Sequence, residues 1–123
     1  INFDLIEERF GTRIRNFVAA ESEEKEEDAV GSWKRRKQAT IEYFMNWASQ
    51  EEKMIALGDK LSNIRSIHRD YITIGDELWK LFNQSDKYEH CWYYKWMAEA
   101  LKSLRKYPAY QEYCQLVNEV FNN

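Results

Sequence analysis

The chain predicts an all-α fold, and three observations carry that expectation. Proline occurs once and glycine four times in 123 residues, so helix breakers are scarce. Apolar residues recur at three- and four-residue spacing, whereas runs alternating apolar with polar are few. Helix-start signals also stand where the periodic stretches begin: Ser32, Ser49 and Pro108. A length of 123 residues suits one domain, 1–123, able to bury a core without staples.

Each element can be justified in turn. Phe3, Ile6, Phe10, Ile14, Phe17 and Val18 keep a helical period that Gly11 interrupts, which predicts two short helices meeting there. Residues 21–28 hold six acids and one lysine without apolar period, as expected of a solvated helix end or loop. Ser32 is expected to cap a helix from about Trp33 to Trp47, with Ala39, Tyr43 and Trp47 along one face. Ser49 to Glu52 has capping-box spacing and opens a helix ending between Asp70 and Thr73. A short helix or irregular turn over Asp76 to Phe82 precedes a connection at Asn83 to Asp86. An aromatic-rich helix is then expected from about Lys87 to Lys106, and Pro108 starts the last one, which reaches Phe121. No repeat or internal domain boundary interrupts this series.

Composition bounds the function. An apolar fraction of 44% with 32% charged residues is ordinary for a soluble globular domain. The net charge of −3 gives no global attraction to nucleic acid. No apolar run approaches the roughly 20 residues that cross a bilayer, so no membrane partner is expected. Cys91 and Cys114 lack zinc-site spacing. Reduced, buried thiols in a cytoplasmic protein are the expectation, and a disulfide between them is the alternative.

The most informative stretch is Met54 to Ser66. Its first five residues are apolar or small at every angle around a helix axis, which predicts burial. Asp59 follows, so its carboxylate is expected to emerge where water is scarce, and a buried charge demands a partner or a metal. Asn63 and Ser66 share its stripe of the helix. Leu57, Leu61, Ile64 and His68 form an apolar stripe roughly opposite Asp59, Asn63, Ser66 and Asp70.

The run Leu57 to Arg65 (LGDKLSNIR) resembles the last motif of HD-domain metal-dependent phosphohydrolases. The likeness is strongest to alarmone hydrolases of the RelA/SpoT type and their small stand-alone relatives. Further segments resemble that family in the right order. They are Ile6 to Val18, Glu21 to Lys25, Ser32 to Lys37, Trp92 to Tyr94, and Tyr107 to Tyr113. The resemblance implies an HD-domain-like helical bundle with Asp59 as a metal ligand and Asn63 lining a nucleotide pocket. Ser66 would share that wall, with Lys60 and Arg65 placed to reach phosphate and Tyr93 or Tyr94 placed to stack a purine. It further implies a divalent metal, manganese first, with magnesium, iron or zinc as alternatives. The substrate implied is a nucleotide, a guanosine alarmone losing pyrophosphate from its 3′ position.

The resemblance has a gap. The family also needs a His and a His-Asp pair upstream, and the only histidines here are His68 and His90. The chain therefore reads as the C-terminal part of an HD domain lacking its first helices. With one ligand, it is expected to bind metal weakly and hydrolyse little, so no catalytic residue is assigned. Apolar surface left by missing helices would favour self-association. His68 falls on the apolar stripe, and His90 opens an aromatic run without ligand spacing to Asp59. Lys34 to Lys37 points in several directions around one turn, which suits a solvated helix start, or contact with substrate phosphate, better than nucleic acid. The competing function is a non-catalytic helical binding or regulatory module that keeps the fold without the metal site.

Overall fold

In a computed structural model, residues 3–12, 14–16 and 29–122 are described, and among them the chain is helical throughout. Helix α1 (Phe3–Phe10) carries Asp4 in its first turn and Arg9 in its last, each matched to the helix dipole. It ends at Gly11, whose φ of 97° suits a residue without Cβ. Ile6 and Ile14 turn into the core. The expected apolar positions Phe17 and Val18 and the acidic stretch 21–28 lie outside the described residues.

Helix α2 (Ala29–Asn46) departs from expectation in two ways. It begins before Ser32, whose hydroxyl lies inside the helix and accepts from Arg36 Nε at 3.1 Å. Its inward stripe is Trp33, Lys37, Ile41 and Phe44, so Ala39, Tyr43 and Trp47 face outward, Trp47 at 78% exposure. The reason is the neighbour: α2 packs on an aromatic helix later in the chain, which takes Trp33 among its own rings.

Helix α3 (Gln50–Ile74) is the longest. Ser49 Oγ accepts from the Glu52 N–H while the Glu52 carboxylate accepts from the Ser49 N–H, the reciprocal box that satisfies two orphan donors. Gly75, at φ 64°, closes the helix with its N–H on the Tyr71 carbonyl. Leu57, Leu61, Ile64 and Ile67 form the buried stripe. Asp70, expected on the polar side, is fully buried instead, on nearly the same side of the helix as the exposed Asp59, because the segment that follows α3 packs back on its C-terminal end and covers a side left open further upstream.

A 3-10 segment (Gly75–Leu81) folds back on α3 and buries Leu78 and Trp79. Asp86 then caps α4 (Lys87–Ala100), its carboxylate accepting from the Tyr88 N–H at 2.8 Å. The α-helix stops six residues short of Lys106, because a 3-10 turn (Lys102–Leu104) drives Leu101 and Leu104 inward. Pro108 opens α5 (Pro108–Phe121) as expected.

Helix α3 packs chiefly on α5, α2 on α4, and α4 on α5. Ile64, Leu78, Met97, Leu101, Leu104, Tyr113 and Val120 have no solvent exposure and form the centre where these layers meet. The Tyr113 hydroxyl, buried among them, donates to the Tyr94 carbonyl at 2.6 Å, so its burial strands no polar group. No helix is long and apolar enough to cross a membrane among the described residues.

Candidate functional site

Helices α2 and α3 are joined by a tight turn yet barely touch along their length, which leaves a groove of about 430 Å³ between them. Thr40 and Phe44 line it from α2; Glu52, Ile55, Ala56, Asp59 and Lys60 line it from α3. The α3 residues follow i, i+3, i+4, i+7, i+8 spacing, which makes them one face of that helix.

At the turn end, the Tyr43 hydroxyl donates to the Glu52 carboxylate at 2.5 Å and ties the two helices across the mouth. That bond pushes the Tyr43 phenol above its usual value. The same bond, then the Ser49 N–H, holds the Glu52 carboxyl below the usual carboxylate range. Glu52 is thus committed to structure. Asp59, two turns further along, is the open carboxylate of the groove.

Asp59 stands in water rather than in a dry segment. Its side chain is 64% exposed, and Met54 and Ile55 in the preceding turn are exposed at 47% and 75%. The expectation of a buried approach to Asp59 is therefore overturned. Five apolar residues around one helical turn suggest burial only when a neighbour covers every side, and here α2 stands too far off. The nearest cation is Lys60, whose Nζ lies 3.4 Å from Asp59 Oδ2.

Lys60 connects the groove to a second feature. Its side chain is only 14% exposed, its stem lies along the protein, and its ammonium stands 5.1 Å from the centre of the Tyr93 ring. From α2, Lys37 Nζ approaches the same ring at 4.7 Å. Two ammonium groups from different helices thus approach one aromatic ring, in a crevice also lined by Trp33, Phe82, His90 and Tyr94. Such a pair raises the local positive potential near Asp59.

The predicted site residues divide accordingly. Asp59 and Lys60 meet in the groove, and Tyr93 joins them through Lys60. Asn63 and Ser66, both half-buried, do not line the groove; Ser66 Oγ accepts from Arg69 at 3.5 Å. Arg65 points to α5, where its guanidinium binds Glu112 through two 2.6 Å bonds, so it does not reach toward the groove. Tyr93 and Tyr94 are each 3% exposed, which leaves neither ring open for a purine to stack upon. His68 bonds Glu119 at 2.8 Å, and the His90 Nε2 donates to the Gln84 carbonyl at 2.7 Å. Cys91 and Cys114 are both free thiols, half-buried.

Among the groove and crevice residues, Thr40 had no assigned place in the sequence, Glu52 had one only in the capping box, and Lys37 had one only within the basic run Lys34 to Lys37. The spacing of Glu52, Ala56 and Asp59 on one helix face was the available signal; Lys37 needed the packing of α2 on α4.

A divalent metal needs several ligands, and Asp59 is the one carboxylate of the groove not committed to a structural bond between the helices. Among them no group of three or more His, Cys, Asp or Glu is placed to hold a metal ion. Asp59 also shares its surroundings with an ammonium rather than a second carboxylate. These residues alone do not fit a complete metal centre. No family model, curated protein or solved structure matches the chain.

Proposed function

We propose that this chain contributes one wall of a phosphohydrolase acting on nucleotide phosphate esters, with guanosine 3′,5′-bis(diphosphate) or a close relative as substrate. The observation that carries the reading is the juxtaposition of Asp59 with Lys60 on an open groove, with Lys37 reaching the same tyrosine ring as Lys60. The ordered likeness of the Leu57 to Arg65 segment and its neighbours to alarmone hydrolases supports it. In this reading Lys60 and Lys37 draw the polyphosphate in, and Asp59 is one ligand of a divalent metal, manganese by resemblance. The remaining ligands are not among the described residues, so the chain's own contribution is to bind and orient.

The test is pyrophosphate release from guanosine 3′,5′-bis(diphosphate) by the full natural protein in manganese, against its Asp59→Ala variant. Loss of about 100-fold or more in kcat/KM is expected, with the circular dichroism spectrum kept. Lys60→Ala is expected to raise KM about tenfold while moving kcat little, because a ground-state phosphate contact is removed. An Asp59→Ala variant as active as the parent would refute the hydrolase reading.

A second reading, a non-catalytic helical binding module, draws on the exposure of Asp59 and its pairing with a lysine. It predicts no pyrophosphate release by the parent and no manganese-dependent gain in thermal stability.

A further inference from the structure

The opposite flank of α2 carries a different surface. There a groove of about 370 Å³ runs between α2 and α4, lined by Gln38, Ile41, Glu42, Met45 and Asn46 on one side and Trp92 and Trp96 on the other. The α2 residues keep i, i+3, i+4, i+7, i+8 spacing, and the two tryptophans stand one turn apart. Trp96 is 46% exposed and Met45 42%.

The charges around this groove are mostly spoken for. Lys34 sits 4.2 Å from the Trp92 ring centre and is ion-paired to Glu89. Lys95 donates to Asn122 at 2.9 Å, and Glu99 accepts from Lys102 at 2.7 Å. Glu42 is the charged residue of the lining itself. Its carboxylate takes part in no hydrogen bond or ion pair among the described residues, while its backbone carbonyl accepts from Asn46.

An uncommitted carboxylate beside two indoles is complementary to one class of group. A planar guanidinium stacks on an indole face and pairs its N–H fork with a carboxylate. A quaternary ammonium would want an enclosing cage, and this groove is open along its length. Gln38 and Asn46 stand at the two ends of the α2 stripe, roughly 12 Å apart at 1.5 Å per residue. Their side-chain amides suit the backbone amides of an extended segment passing between them. We infer that the α2–α4 groove is a docking site for an arginine presented by a partner polypeptide, with Glu42 and Trp96 as its principal contacts. The site is separate from the Asp59 groove and stands whether or not that groove hydrolyses anything.

The test uses N-acetyl-argininamide as the probe and the indole N–H resonances of Trp92 and Trp96 as the readout. Saturable shifts are expected with Kd on the order of 10 mM, as befits one exposed cation–π contact and one ion pair. Glu42→Gln is expected to weaken binding about threefold to tenfold, and Trp96→Ala to remove the saturable shift of Trp92. Both positions are exposed, so the fold should survive, and unchanged remaining resonances verify that. Equal shifts with the neutral citrulline analogue, or an unchanged Kd in Glu42→Gln, would overturn the proposal. Equal binding by the lysine analogue would overturn the guanidinium assignment, and equal binding by free arginine would overturn the polypeptide source.

Discussion

Gly58 sits in the middle of α3, one residue before Asp59, with nothing within 4 Å of where a Cβ would stand. Its φ is not positive, so the backbone does not require glycine. Glycine at such a place costs roughly 0.5–1 kcal/mol relative to alanine, through the freedom it retains when unfolded. Gly58→Ala is therefore expected to raise stability by about that amount and Tm by about 2–5 °C. Urea and thermal unfolding check this, and a loss of stability would show that another group needs the bare backbone there. The same stretch shows what residue-level reading could and could not supply. The buried stripe Leu57, Leu61 and Ile64 was legible from spacing alone, and so was the position of Asp59 away from it. The exposure of Met54 and Ile55 was not, because apolar character does not reveal whether a neighbouring helix closes over it.

Between elements, the seam of α3 with α5 is held by apolar contact and, on its outside, by an ion pair and a hydrogen bond. Arg65 grips Glu112, and one turn later His68 bonds Glu119. The Arg65 bonds hold the Glu112 carboxyl below the usual carboxylate range. Gln115 first, and His68 second, do the same for Glu119. A carboxyl lowered by folding adds stability above its unfolded value, about 4.3, and loses it as pH falls through the folded one. Stability should therefore decline as pH drops below that range. The decline should shrink in 1 M salt and flatten in a Glu112→Gln, Glu119→Gln double variant, because both pairs are solvent-facing. Urea midpoints measured across the acid range at both salt levels test it; an identical slope in the double variant would assign the decline elsewhere. Element boundaries followed their local chemistry where that chemistry was strong. The Ser49 box, the Asp86 cap and Pro108 all mark true starts. Ser32 did not, since the helix continues upstream of it, and α4 ended early because Leu101 and Leu104 gain more from burial than from continuing the helix.

At the scale of the molecule, the helices form two pairs, α2 with α4 and α3 with α5, joined through the contact of α4 with α5. The all-helical class was legible from composition and period. This pairing was not, because it depends on which aromatic rings meet: Trp33 of α2 against Tyr93 and Trp92 of α4, and Trp79 of the 3-10 segment after α3 against Phe121 of α5. Pairwise packing predicts unequal protection. Amides of α2 should exchange with solvent through a cheaper, partial opening, while those of α3 and α5 should exchange only through global unfolding. Hydrogen exchange resolved by residue checks this, and equal protection across α2 and α3 would show a single cooperative unit. Anchored chiefly on α4, α2 has its other margin only lightly held, by the Tyr43–Glu52 bond at the turn end. A small tilt of that single rod about the Tyr43–Glu52 tie would widen or narrow the aperture beside Asp59, while the packed centre around Ile64 and Leu104 keeps its shape.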